Sequence, residues 1–174
     1  PEAPPEAELE PIAPAPPSPA PEAPAPPIRI HACWDRPEIG ALLAELAGDA
    51  RLARADIEIA RGGVDSAVAR FAGQQSPNLI IVDTTLKRAE MLAALDRLAQ
   101  AVEADCKIVV LGALNDVGLL RELAVRGVSE YIVPPLKADD LARAICRLYA
   151  QSDQSRVIAV IGARGGVGAS TIAH

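Results

Sequence analysis

Two stretches of this chain carry residues whose types and positions could do chemistry. The β-branched run Arg156-Val157-Ile158-Ala159-Val160-Ile161 leads into Gly162-Ala163-Arg164-Gly165-Gly166-Val167-Gly168-Ala169-Ser170-Thr171. A strand opening into a glycine-rich turn and a helix start is the layout of a phosphate-binding loop. Closely spaced glycines turn successive N–H groups towards one anion at a helix N-terminus. The candidate nucleotide-binding residues are Arg164, Gly165, Gly166, Gly168, Ser170 and Thr171, with Ser170 as a Mg²⁺ ligand. The loop holds no lysine, so its usual cation is missing. The second stretch is Leu79-Ile80-Ile81-Val82-Asp83, where a carboxylate ends an apolar run. Asp35 stands in the same relation to the run from Ile28 to Trp34. Two carboxylates at strand ends would lie where an open sheet places its functional crevice. They could also cap local N–H groups.

The elements that must position these residues alternate. Strands are expected at Ile28 to Trp34, Asp56 to Ile59, Leu79 to Val82, Lys107 to Leu111 and Glu130 to Val133. Helices are expected from Pro37 to about Ala47, Val64 to Phe71, Ala89 to Ala104, Asp116 to Arg126, and Asp139 or Asp140 to Ala150. Pro37 suits a first helical turn, where the N–H has no partner anyway. Gly73 and Gly127 follow helices as stop signals. Leu79 to Val82 is continuously apolar, as in a strand covered on both faces. Alternation of this kind implies an α/β fold, a doubly wound five-stranded parallel sheet. In such sheets the functional crevice lies at the carboxyl ends of the strands. Trp34-Asp35, Asp83, Gly112 and Pro134-Pro135 all fall there.

Composition sets the outer limits. Residues 1–27 hold twelve of the sixteen prolines, five Glu and no Lys or Arg. That segment cannot bury enough surface to offset its ordering entropy and is expected to be a disordered, polyproline-like tail. Most of the net charge of −6 therefore belongs to the tail, and residues 28–174 are nearly neutral. A near-neutral body argues against nucleic-acid binding. No apolar run approaches the ~20 residues of a membrane span, so no integral membrane segment is expected. Cys33, Cys106 and Cys146 are odd in number and widely spaced. They fit a reducing cytoplasm better than a disulfide scaffold, and no metal site is expected.

Residues 28–150 resemble a response-regulator receiver domain, with its flavodoxin-like (βα)₅ fold. Pro77-Asn78-Leu79-Ile80-Ile81-Val82-Asp83 matches the run that ends in the phosphoacceptor, which falls on Asp83. The resemblance implies that Asp35 corresponds to one of two Mg²⁺-binding acids, Tyr131 to the aromatic switch position and Pro135 to a cis-proline. Three positions depart from it: Trp34 replaces an acid, Gly112 a Thr or Ser, and Pro134 a Lys. Phosphoryl transfer to a carboxylate needs metal and cation to neutralise crowded negative charge. Two carboxylates with no cation would supply that poorly, so a pseudo-receiver is expected. The fourth helix, fifth strand and fifth helix are the expected homodimer or partner face, carrying Arg121, Arg126, Tyr131, Arg143 and Arg147.

After a polar linker at 151–155, residues 156–174 resemble the first strand and a degenerate phosphate-binding loop of a truncated ParA/MinD-like ATPase domain. Arg164 and Ala169 stand where that family has lysines. An atypical receiver ahead of such a loop is similar to the CpaE/TadZ proteins of tad (Flp) pilus assembly. That resemblance implies a cytoplasmic protein that places type IV (Flp/tad) pilus machinery at a cell pole or the inner-membrane face. It implies pilus assembly or polar localisation proteins as partners. ATP and Mg²⁺ would serve the full-length protein, with no cofactor for this piece, which is expected not to be an enzyme. The alternatives are a phosphorylation switch, with Asp83 regulating the attached ATPase, and a nucleotide hydrolase or DNA-partitioning enzyme.

Overall fold

A computed structural model describes residues 24–150 and the backbone of 160–162. Its elements are β1 (Arg29–Trp34), α1 (Pro37–Ala47), a 3₁₀ turn (Ala50–Leu52), β2 (Asp56–Arg61), α2 (Gly63–Phe71), β3 (Leu79–Thr84), α3 (Arg88–Ala101), β4 (Lys107–Gly112), α4 (Val117–Val125), β5 (Glu130–Val133), α5 (Ala138–Ala150) and β6 (Val160–Gly162). All strand pairs are parallel, in the order β2-β1-β3-β4-β5-β6. β3 lies in the middle and every one of its residues is buried.

Period-two alternation along β3 divides the core between two faces. Leu79 and Ile81 point to one side, where Ile39, Leu43 and Leu46 of α1 pack with Leu141, Ala144 and Ile145 of α5. Ile80 and Val82 point to the other, with Phe71 of α2, Met91 and Leu95 of α3, and Leu119 and Leu123 of α4. A sheet sandwiched this way is open along its β2 edge and at its strand ends, so polar chemistry near the central strands is confined to the loops at those ends. At the amino edge, α5 is pinned by Tyr149, whose hydroxyl donates to the Asn78 carbonyl at 2.9 Å. Lys107 Nζ donates to the Leu148 carbonyl at 2.6 Å. At the other end of α5, Arg51 joins Asp49 to Asp139 and so ties the segment after α1 to the start of α5.

The five βα units form as expected, with helix ends displaced by a few residues. α3 stops at Ala101, and α4 begins at Val117 with the Asp116 carboxylate accepting from the Gly118 N–H at 2.9 Å. Two features add to these expectations. The sheet has a sixth strand: Val160–Gly162 pairs along β5, with Tyr131 opposite Val160 and Val133 opposite Gly162. The edge of β5 would otherwise leave a row of backbone groups unpaired, and an apolar β-branched run is well suited to cover it. The ordered chain also begins before Ile28. Ala25 is 1% exposed within the α1/α5 core, and its N–H donates to the Arg51 carbonyl at 2.9 Å. Alanine is small enough to enter the core from a proline-rich stretch, so composition alone placed the boundary too late. The remaining tail residues, 1–23, and the linker 151–155 lie outside the described residues.

Ala25 gives a test of where the folded unit starts. One buried alanine and one backbone hydrogen bond contribute on the order of 1 kcal/mol. A chain starting at Ile28 is therefore expected to melt several degrees below one starting at Pro24. Equal melting temperatures would show that residues 24–27 contribute nothing.

Candidate functional site: a closed carboxylate at the strand ends

Asp83 is the next-to-last residue of β3 and is 0% exposed. A carboxylate in that place must be hydrogen-bonded and neutralised. Both needs are met by the turn between β1 and α1. Oδ2 accepts from the backbone N–H of Asp35 at 3.1 Å and of Arg36 at 2.8 Å. Oδ1 accepts from Arg36 Nε at 2.9 Å and Nη2 at 2.5 Å. A carboxylate offers about four lone-pair sites, and these four donors take them all. Arg36 Nη2 reaches on to the Leu111 carbonyl at 3.4 Å, which ties the group to β4. Arg36 is also the residue before the first turn of α1, where a guanidinium, having no acceptor, makes no side-chain cap.

The expectation of two carboxylates without a cation is therefore corrected. The cation comes from Arg36 rather than from the end of β5, where Pro134 offers none. The signal was present: an arginine directly follows Asp35 at a strand end. Its partner lies 47 positions away, so no local pattern disclosed the pair.

The other expected site residues do not converge on Asp83. The Trp34 ring lies on α1, where a Cβ on Gly40 would come within 2.9 Å of it. Arg61 stacks over the same ring at 5.7 Å. Asp35 contributes its N–H, while its carboxylate sits over Gly63, a glycine at φ +36° where a side chain would collide with it. Partial burial, then the charge of Asp83, push the Asp35 carboxyl above its ordinary range. The peptide bond between Pro134 and Pro135 is cis.

Gly112 has a physical reason of its own. A Cβ there would run into the Tyr131 hydroxyl and ring. Tyr131 is 0% exposed, and its hydroxyl oxygen accepts from the Leu114 N–H at 3.1 Å. The aromatic side chain fills the space that a Thr or Ser would use. Tyr131 therefore belongs to the interior, which corrects its assignment to a partner-facing surface.

The fold type implies Mg²⁺ beside such an aspartate. The residues present do not fit one. All lone-pair positions of Asp83 are taken, a guanidinium stands against Oδ1, and an indole replaces one acid.

The expected partner face is largely engaged internally. Arg126 Nε lies 2.9 Å from Asp96 Oδ1 of α3. Arg143 pairs with Asp139 one helical turn away. Arg147 turns inward to 3.9 Å from Glu130. Among these arginines, Arg121 has no partner among the described residues. Arg164, Gly165, Gly166, Gly168, Ser170 and Thr171 lie outside the described residues.

Comparison with solved structures places this architecture. No protein-family model and no curated protein matches the chain. The chain is 42% identical to the pilus assembly protein CpaE of Caulobacter crescentus CB15, over 71% of this chain and 95% of that one, with TM-score 0.69. The chain belongs to the CpaE pilus assembly family. A CpaE2 pilus assembly protein of Sinorhizobium meliloti 1021 is 35% identical over 70% of this chain and 99% of that one, with TM-score 0.66. The Francisella response regulator 1452 receiver domain, at 16% identity and TM-score 0.55, shares the fold alone. This CpaE-family chain is thus a receiver-like pilus assembly protein. Among its described residues no helix is long and apolar enough to cross a membrane.

Two tests follow from these buried charges. Arg36→Ala removes the cation from a fully buried carboxylate and is expected to destabilise by about 3 kcal/mol. Adding Asp83→Asn should recover part of that loss, because no charge is then left unpaired. Full additivity in denaturant melts would mean that the two side chains do not act as a pair. Glu130 is the second buried acid: it is 3% exposed, and Oε1 has no hydrogen-bond partner. Burial raises its carboxyl to about 7, with Arg147 opposing. A raised acid favours the folded state only while protonated. Its contribution is complete below the unfolded value near 4.5 and is lost as pH rises through about 7. Glu130→Gln should therefore raise the melting temperature more at pH 8 than at pH 5. An equal gain at both pH values would deny the shift.

Proposed function

We propose that this CpaE-family receiver is a non-catalytic interaction module. Its fold serves docking and self-association, and helps place pilus machinery, at a cell pole or the inner-membrane face. One observation carries the reading: the Arg36 guanidinium and two backbone N–H groups occupy every acceptor position of Asp83. An incoming phosphoryl donor would meet a carboxylate with no free lone pair for attack. It would also find no metal site and no hydroxyl at position 112 to steady the transferred group. The relatives from Caulobacter and Sinorhizobium are pilus assembly proteins, which supports that context. An ATPase function, with ATP and Mg²⁺ bound by the glycine-rich loop from Gly162, is a proposal that rests on the sequence of that loop.

The decisive experiment is incubation with acetyl phosphate and Mg²⁺, followed by intact mass measurement. No adduct is expected on the parent chain. A stoichiometric adduct that disappears on Asp83→Asn would overturn the non-catalytic reading and favour a phosphorylation switch in which Arg36 leaves the carboxylate.

A further inference from the structure

Two surfaces on opposite sides of the sheet match each other. The first is on α4. Val125 is 87% exposed and Val117 50%, and these are the large apolar side chains exposed among the described residues. They share one helix face with Arg121, at spacings of four residues, over a length of roughly 12 Å. Arg121 has no ion-pair partner among the described residues. Its neighbour Glu122 is held by Arg88 at 2.8 Å.

The second surface is a groove of about 420 Å³ between α1 and the start of α5. Ala41 and Leu42 form one side of its apolar floor, Leu136 and Ala138 the other. Glu38 and Glu45 stand on the α1 rim, two turns apart and roughly 10 Å from each other along the helix axis. Neither has an ion-pair partner among the described residues. Lys137 stands across from them, and Asp139 is already engaged by Arg51 and Arg143, so the unpaired rim charge is net negative.

We propose that copies of this chain associate head to tail, the α4 stripe of one seated in the α1–α5 groove of the next. The valines would cover the apolar floor, and Arg121 would lie between Glu38 and Glu45. This rests on the reading of the domain as an interaction module and names its partner as a second copy.

The alternatives fit less well. In a symmetric α4–α4 contact Arg121, at the centre of the stripe, would meet its own copy across the two-fold axis, and like charges brought together are unfavourable. The β5 edge, which a symmetric α4-β5-α5 contact would use, is already covered by β6. The proline-rich tail carries five Glu and no basic residue, so the acidic rim repels it. α4 packs on one face of the sheet, α1 and α5 on the other. One molecule therefore cannot satisfy both of its own surfaces. The contact is heterologous and propagates unless a ring closes. A single helix stripe in a groove lies near the lower end of specific interfaces, so assembly depends on concentration.

Charge exchange tests this on the full 174-residue chain. Light scattering is measured over a wide concentration range for the parent, for Arg121→Glu, and for Glu38→Lys with Glu45→Lys. These positions are on the surface, and circular dichroism would confirm that each variant folds. The parent mass is expected to rise past that of a dimer. Each variant alone should associate about tenfold or more weakly, by like-charge repulsion. Mixed one to one, the two variants should regain association past two chains by alternating, because each stripe then meets a groove rim of opposite charge. A parent that stays monomeric overturns the proposal. A parent that stops at a dimer, unaffected by the groove substitutions, also overturns it and favours a symmetric contact. Failure of the mixture to pair overturns it as well. None of these outcomes alters the phosphorylation result, which tests the non-catalytic reading separately.

Discussion

A carboxylate with no access to water sits at the end of the most buried strand of this protein, and the surrounding structure is arranged to answer it. Asp83 needs donors and a counter-charge, and the turn after β1 supplies both from two consecutive residues. That requirement fixes the path of the chain from β1 into α1. It places at the N-cap of α1 an arginine, whose side chain has no acceptor to offer the helix. Through the Leu111 carbonyl it also draws β4 into the same cluster. A buried pair of this kind adds little net stability over an apolar replacement, but removing one partner alone is strongly unfavourable. Its effect is to define one arrangement of three strand ends.

The same edge illustrates how a binding crevice can be filled by its own protein. Tyr131 takes the space beside Gly112, Arg36 takes the lone pairs of Asp83, and Trp34 lies down on α1 at Gly40. Each group that might have met a ligand meets another part of the chain. What remains outward are helix surfaces. On the proposed reading, the chemistry of this CpaE-family receiver lies in side-chain complementarity between surfaces.

Much of the fold was legible in the sequence because it rests on local periodicity. The continuous apolar run at Leu79–Val82 and the helical spacing of Leu92, Leu95 and Leu98 each have one economical structural solution. Gly127, at φ +81°, ends α4 as its position suggested. What escaped were contacts between distant positions. Arg36 with Asp83, and Gly112 with Tyr131, are pairs whose members carry no mark of each other in the linear chain. Gly112 looked like a missing hydroxyl, but the structure makes it the space for a ring. Ala25 was hidden by its company: proline-rich composition describes a segment on average, whereas burial is decided residue by residue. The sixth strand was recognisable as a strand, but its neighbour was not, since pairing along β5 depends on which sheet edge is open.

The packing of Gly112 against Tyr131 locks two positions of the interior together. Any side chain at 112 requires the tyrosine ring to leave, and an emptied ring position leaves a hole in the α2–α4 side of the core. Recovering a hydroxyl there thus needs two changes together, neither of which is tolerated alone. Positions 112 and 131 therefore constrain each other through the interior, whereas residues on the helix surfaces carry no such coupling.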